Sequence, residues 1–133
     1  MIKGYCSMVA DLFHYGHLRY LEICKENCDF LIVGILTDKA TMIMKPKPII
    51  PYADRRNIIR AIGCVDLVVR QDCYYPLEGA LSCEADILFE SDSHNPEQVE
   101  KSAKRMKTIV IPYYEGISST EIKNKIVKEW RIK

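Results

Sequence analysis

Residues 30–38 read FLIVGILTD, and this stretch decides the fold. It is an unbroken apolar run rich in branched side chains, which is typical of a strand covered on both faces, and a Thr-Asp pair follows at its end. Outward from it, short apolar runs alternate with amphipathic stretches, a pattern that favours βα units around a parallel sheet. The predicted strands are 2–7, 30–36, 65–69, 86–89 and 108–111, and the predicted helices are 16–27, 52–62, 76–83, 96–106 and one from about 118, with Ile122, Ile126 and Trp130 facing inward.

Five strands that alternate with five helices predict a single α/β domain over residues 1–133. The expected fold is a Rossmann-like, doubly wound, five-stranded parallel sheet, because right-handed crossovers leave few other topologies. Ligands bind beyond the carboxyl ends of the strands in such a sheet. We therefore expect the site to be built by the loops after residues 7, 36, 89 and 111.

The bulk composition excludes several classes of protein. A net charge of +1 is too small to indicate a nucleic-acid or membrane partner. No signal peptide is apparent, and no apolar run approaches the roughly 18 residues of a membrane span, so we expect a cytoplasmic protein. None of the six cysteines forms a CxxC pair, which favours free and mostly buried thiols over disulfides or a structural metal site.

The loop before the first helix carries two histidines. Residues 10–24 read ADLFHYGHLRYLEIC, and His14 and His17 flank Gly16 at the predicted helix entry. A helix start has unpaired N–H groups and a partial positive charge, so it favours an anion, to which imidazoles add donors. Asp11 could orient this turn or help to hold a metal ion. His94 has no comparable setting and is expected at the surface.

A second cluster of donors lies at the start of the last helix. Residues 116–120 read GISST, and Ser118 with Glu121 forms a capping box. Three consecutive hydroxyl residues offer more donors than a cap requires. A third feature is the stretch 42–51, MIMKPKPIIP, in which three prolines indicate a restrained loop that carries Lys45 and Lys47.

These segments resemble one family. Residues 14–17, HYGH, look like the HxGH motif of the nucleotidyltransferase superfamily, and GISST resembles its GIS(S/T)T signature. The resemblance continues between the two motifs, in the right order and over nearly the whole chain. It includes 31–39 (LIVGILTDK), 52–55 (YADR, like YxxR) and 64–68 (CVDLV, like VDxV).

Departures from the glycerol-phosphate type of cytidylyltransferase point to another branch. That type has Gly-Thr-Phe-Asp where residues 8–11 read MVAD, and arginines where this chain has Gly63 and Tyr113. Many relatives read GDDW where residues 90–93 read ESDS. The segments ADLFHYGH, ILTDK and PYYEGISST look more like the cytidylyltransferase domains of phosphonate pathways.

The resemblance implies a cytidylyltransferase that transfers CMP from CTP to a small phosphonate or phosphate monoester and releases pyrophosphate. An acceptor of the 2-aminoethylphosphonate or hydroxyethylphosphonate type is favoured, with glycerol 3-phosphate next. Mg²⁺ is the expected cofactor, and a homodimer is the expected assembly. Two alternatives stay open, namely an adenylyltransferase on the same fold and a catalytically silent nucleotide-binding module.

The resemblance also assigns roles to particular residues. For Arg55, acceptor binding, support of the loop and a surface ion pair all stay open, and Asp11 is the candidate metal ligand. The candidates are His14, His17, Lys45 and Lys47 for catalysis, Val9, Ala10, Asp11, Gly16, Asp92, Gly116, Ile117, Ser118, Ser119 and Thr120 for the nucleotide, and Asp38, Arg55 and Tyr113 for the acceptor.

Overall fold

The computed structural model describes residues 1–112, 114 and 116–130, and within them it contains five strands and six helices. The predicted α/β fold is confirmed. The elements in chain order are β1 (Lys3–Met8), α1 (Tyr15–Glu26), β2 (Phe30–Leu36), α2 (Asp38–Thr41), α3 (Tyr52–Arg60), β3 (Leu67–Gln71), α4 (Leu77–Ser82), β4 (Ile87–Ser91), α5 (Pro96–Arg105), β5 (Thr108–Ile111) and α6 (Ser119–Glu129).

The sheet order is β3-β2-β1-β4-β5, and every pair of neighbouring strands is parallel. The order reverses between β1 and β4, which makes this the switch point of the sheet. There the two strands pair only at Gly4–Ile87 and Tyr5–Leu88. The β1–β4 ladder ends with these pairs, and ligands in such folds bind at the carboxyl ends of the strands near the switch point.

Apolar side chains cover both faces of the sheet, as the composition of β2 predicts. The larger cluster includes Leu21 of α1 and Ile59 of α3, packed against Ile35. The smaller cluster, on the other face, includes Tyr5, Leu88 and Ala80 of α4. A parallel sheet buried on both sides holds the ends of its strands rigidly, and these ends carry the loops of the site.

One helix was not predicted from the sequence, and for another the direction of its apolar side chains was predicted incorrectly. The short α2 begins after Thr37, whose Oγ1 accepts a hydrogen bond from Ala40 N–H at 3.0 Å. The inward direction expected for Ile126 and Trp130 of α6 is wrong, because these side chains are 51% and 76% exposed. Ile122, nearer the start of the helix, is half-buried, so the exposed part of the apolar stripe is its far end.

Two further observations concern the chain as a whole. All six cysteines are free thiols, but only Cys6 and Cys24 are fully buried and Cys73 is exposed. In the part of the chain that the structure describes, no helix is both long and apolar enough to cross a bilayer.

Candidate active site

The two histidines of the HYGH segment cap the helix that they precede. His14 Nδ1 accepts a hydrogen bond from Gly16 N–H at 3.0 Å, and His17 Nδ1 accepts one from His14 N–H at 3.1 Å. The ring centroids lie 4.0 Å apart. The pair therefore forms a capping box built from histidines, in which the backbone fixes the orientation of both rings.

These bonds determine which ring nitrogen carries the proton. A nitrogen that accepts from N–H is unprotonated, so each neutral ring carries its proton on Nε2. Burial, and then the neighbouring His14, lower the pKa of His17 to about 4. Burial also lowers the pKa of His14. Near neutral pH the site thus presents two oriented Nε2–H donors.

The start of α1 lies against the start of α6. A Cβ atom added at Gly16 would lie 3.3 Å from the backbone oxygen of Ile117, which is a tight contact, so glycine favours this close approach. The rings of Tyr15 and Tyr114 meet edge to face with centroids 5.4 Å apart. Ser119 Oγ donates a hydrogen bond to the backbone oxygen of Asp11. The structure therefore brings together the two helix starts whose sequences carry the histidines and the hydroxyl cluster.

The Asp11 carboxylate joins three segments. Its two oxygens accept hydrogen bonds from Ile49 N–H and Ile50 N–H, both at 3.0 Å, and Oδ2 lies 3.1 Å from Lys123 Nζ. Burial alone would raise the pKa of Asp11, but the two backbone donors, followed by Lys123, lower it on balance. Both oxygens are engaged, so this side chain fits the expected orienting role better than that of a metal ligand.

The backbone on either side of Asp11 is unusual. Ala10 and Leu12 have φ values of 59° and 50°, in the left-handed region that side chains other than glycine rarely adopt. Such conformations persist where surrounding contacts impose them. Here the contacts are those of Asp11 and of Val9, whose backbone oxygen accepts a hydrogen bond from Arg55 Nη1 at 2.6 Å.

Arg55 is fully buried, which excludes the surface ion pair considered for it. Besides Val9, its guanidinium donates to the backbone oxygens of Leu36 and Ile50, both at 2.9 Å, and to Asp38 Oδ1 at 2.6 Å. These contacts tie the loop after β1 to the end of β2 and to the loop before α3. Arg55 therefore supports the loops, and its donors are directed at protein atoms rather than outward at an acceptor.

The lysines of the proline-rich loop differ in their surroundings. Burial, followed by the charge of Lys123, lowers the pKa of Lys45. Lys45 also lies close enough to His17 for its charge to contribute to the lowered pKa of that histidine. Both lysines are nevertheless exposed to solvent, and Lys47 lies between two prolines. Lys45 is thus the lysine that the structure brings to the site.

Lys123 is a site residue that the sequence reasoning missed. It belongs to α6, and it follows Ser119 by four residues, a spacing that places two side chains on one face of a helix. Both residues contact Asp11. The spacing from the GISST segment was therefore a usable signal.

The remaining candidates lie at the ends of β4 and β5. Ser118 Oγ accepts a hydrogen bond from Glu121 N–H at 3.1 Å, which confirms the cap, while Thr120 is exposed and Gly116 lies beside the ring of Tyr114. Asp92 is exposed, and its N–H donates to Ile111 O at 3.1 Å. Tyr113 lies outside the described residues.

His94 is not simply a surface residue. It is half-buried, and its Nδ1 accepts a hydrogen bond from Ser91 N–H at 3.1 Å. Its ring therefore belongs to the turn that follows β4, at the end of the sheet where the other candidates lie.

Comparison with protein families gives one match over most of the chain. The model of the family described as cytidylyltransferase-like matches residues 9–125. Curated relatives include the bifunctional protein HldE of Campylobacter fetus subsp. fetus, 31% identical over 118 residues, and that of Geotalea uraniireducens, 32% identical over 124 residues. Each alignment covers 87% of this chain but only 26% and 25% of the respective relative. The chain thus spans about a quarter of the length of these relatives.

Solved structures share the fold at lower identity. The lipopolysaccharide core biosynthesis protein of Thermoplasma volcanium superposes with a TM-score of 0.77 at 23% identity, over 86% of this chain and 99% of that one. The pantoate-beta-alanine ligase of Francisella tularensis, solved with a beta-gamma ATP compound and beta-alanine, gives a TM-score of 0.62 at 16% identity. This second superposition covers 99% of this chain and 72% of the ligase.

Proposed function

Because the chain belongs to the cytidylyltransferase-like family, we propose that it is a nucleotidyltransferase that uses CTP and releases pyrophosphate. The proposed acceptor is a small phosphonate or phosphate monoester. One observation carries the proposal: the start of α1 lies against the start of α6, where a Cβ on Gly16 would come within 3.3 Å of the backbone oxygen of Ile117. Two helix starts that share one space form a strong anion site.

The donors at this place suit a triphosphate. His14 and His17 supply Nε2–H groups in fixed directions, and the start of α6 adds backbone N–H groups and the hydroxyl of Thr120. Neutral imidazoles are fit for this role because they donate without requiring protonation. Donors fixed in advance cost no reorganisation when charge develops in the transition state.

The proposed reaction is an in-line displacement at phosphorus. An oxygen of the acceptor phosphonate attacks the α-phosphorus of CTP, a new P–O bond forms, and the bond from that phosphorus to the bridging oxygen breaks. The electron pair leaves with pyrophosphate. The attacking oxygen is already ionised near neutral pH, so the protein supplies positioning and charge neutralisation rather than a strong base.

Two lysines are placed to neutralise the incoming charge. Lys45 and Lys123 are close enough for their charges to interact, and among the described residues Lys123 pairs with the carboxylate of Asp11. An anionic acceptor beside Lys45 would relieve this repulsion. We assign the acceptor phosphonate to this cation pair.

Mg²⁺ is proposed as part of the nucleotide complex. Among the described residues no group of three or more His, Cys, Asp or Glu side chains could hold a metal ion, and both oxygens of Asp11 are engaged. Magnesium is often bound largely through substrate phosphates. The phosphates of CTP, rather than Asp11, would then carry the ion.

ATP is the second candidate nucleotide. The same fold holds an ATP compound in the Francisella tularensis ligase, and the phosphate-directed donors described above do not distinguish the two bases.

Pyrophosphate release tests the proposal. The purified protein is supplied with Mg²⁺ and either CTP or ATP, together with aminoethylphosphonate, hydroxyethylphosphonate, glycerol phosphate, phosphocholine or phosphoethanolamine. We expect release from CTP that depends on an added phosphonate, with formation of the matching CMP conjugate. A His17→Ala variant that kept full turnover would refute the assigned chemistry, and nucleotide binding without any turnover would favour a silent binding module.

A further inference from the structure

Glu90 is a buried carboxylate with an unsatisfied oxygen. It is 1% exposed, and its Oε1 atom has no hydrogen-bond partner in the structure as described. The hydroxyl of Tyr20 is the other buried side-chain oxygen in this condition. Burying a charge without a partner is costly, so a protein keeps such a group where something else satisfies it.

The position of Glu90 is at the switch point of the sheet. It lies in β4 two residues beyond Leu88, the last residue of β4 that pairs with β1. Tyr20 of α1 lies close enough for Glu90 to contribute to its raised pKa, after burial and the Cys24 and Cys6 thiols. Tyr20 follows His17 by three residues, so Tyr20 lies about one helical turn from the proposed phosphate site.

A groove lies near the carboxylate; Glu90 itself does not line it, and His94 connects the two. His94 lines this groove, and its Nδ1 lies 3.5 Å from Glu90 Oε1, but that nitrogen already accepts from Ser91 N–H. Glu90 pairs with Val110 of β5, so their side chains point to the same face of the sheet. The groove has a volume of about 360 Å³, and its apolar wall consists of Pro96, Val99, Ala103 and Val110.

We propose that Glu90 reads the nucleobase: its Oε1 atom accepts a hydrogen bond from the exocyclic amino group of the base, which lies against the apolar wall of the groove. This inference rests on the proposed function. A carboxylate is a suitable acceptor for the amino group of cytosine. Uracil presents a carbonyl oxygen at the same position, which would face the carboxylate and be rejected. His94 turns aside to admit the base and gives up one hydrogen bond.

The test compares nucleotides that differ in this one group. Dissociation constants are measured for CTP against UTP and for ATP against ITP, with the wild-type chain and with Glu90→Met. We expect the wild type to bind the better amino-bearing nucleotide at least about tenfold more tightly than its carbonyl counterpart, and Glu90→Met to reduce this ratio to about twofold or less. Glu97→Gln, an exposed charge change on α5, is the matched control and should keep the wild-type ratio.

Thermal unfolding without nucleotide supplies an independent readout. A buried carboxylate that is retained for ligand binding destabilises the ligand-free protein. Glu90→Met should therefore melt at a higher temperature than the wild type. A lower melting temperature together with an unchanged nucleotide ratio would show that Glu90 belongs to the fold, and would overturn the inference. A wild type without preference for the amino-bearing nucleotides would overturn it as well.

The two proposals fail separately. If Glu90→Met keeps the base preference while the wild type still releases pyrophosphate, only the reading role is lost. If the wild type shows the preference and Glu90→Met does not, yet no acceptor yields pyrophosphate, the base site stands and the transfer function fails.

Discussion

Lys123 Nζ lies 3.1 Å from Asp11 Oδ2, so the last helix is paired with the loop that follows the first strand. The same carboxylate accepts hydrogen bonds from the backbone N–H groups of Ile49 and Ile50. One buried side chain thus holds together the three segments that carry the histidines, the lysine loop and the hydroxyl cluster.

Replacement of Asp11 by asparagine should loosen this junction. The amide keeps one acceptor oxygen but turns its NH₂ group toward a donor, so we expect a loss of about 2–4 kcal/mol in the free energy of unfolding. Urea denaturation measures it. Asp54→Asn, at an exposed position in the first turn of α3, should cost about 1 kcal/mol or less. Equal losses for the two variants would show that Asp11 does not carry the junction.

Replacement of Arg55 by lysine should be as severe. The guanidinium serves three backbone oxygens and Asp38 from a fully buried position, and an ammonium group cannot reach all four acceptors. We expect a loss of about 3–5 kcal/mol in the free energy of unfolding, again measured in urea. The neighbouring Arg56→Lys is the control, with an expected change of about 0.5 kcal/mol or less. An Arg55→Lys protein as stable as this control would contradict the supporting role.

Gly16→Ala should impair nucleotide binding more than folding. Its Cβ would come within 2.8 Å of His14 Cε1, so the ring must leave the direction that its hydrogen bond fixes. We expect CTP to bind at least about tenfold more weakly by isothermal titration. Gly63→Ala is the matched change, since a Cβ there meets no atom within 4 Å, and its affinity should equal that of the wild type. Wild-type affinity in Gly16→Ala would mean that phosphate does not bind beside Gly16.

The stability of the protein should depend on His17 in mildly acidic solution. Its pKa is about 4 in the folded chain and near 6.5 when unfolded, so its contribution is complete above about pH 6.5. As the pH falls toward 4 the unfolded chain takes up the proton first, and up to about 3 kcal/mol is lost. His17→Gln should lose less between pH 7 and pH 4.5. Urea titrations of both proteins measure the difference, and parallel curves would contradict the lowered pKa.

Lys45 and Lys47 should differ in their effect on catalysis. Both side chains are exposed to solvent, but the charge of Lys45 interacts with His17 and with Lys123. We expect Lys45→Ala to lower kcat/KM by about a hundredfold or more, and Lys47→Ala to lower it by less than about fivefold. Initial rates of pyrophosphate release give both values. The reverse order would move the acceptor site to the other lysine.

The sequence predicts the main elements because each has a local signal. An apolar run such as FLIVGIL can only be covered on both faces, and the helices carry apolar spacing or proline and glycine at their ends. The four-residue α2 is too short to show a period. The exposed stripe of α6 shows the limit of this reasoning, because spacing reveals an apolar face but not whether another surface lies opposite.

Candidate site residues that belong to a sequence motif could be predicted. Residues whose role depends on tertiary contacts could not. His14, His17 and the GISST segment follow from the sequence, since a helix start needs donors and caps. The burial of Arg55 does not, because a charged residue in a helix is normally expected outside. Glu90 did leave a signal that was not used: it is a charged residue that directly follows the apolar run Ile87–Phe89 of a strand.

The most direct measurement follows both helix starts in one titration. CTP with Mg²⁺ is added to ¹⁵N-labelled protein, and the backbone amide signals of Gly16, Ser118 and Ser119 are recorded, with Gly63 as the distant reference. Convergence on one triphosphate requires all three signals to shift with the same dissociation constant while Gly63 stays in place. Shifts of the amide signals at only one helix start, or two different dissociation constants for the two starts, would contradict the shared phosphate site.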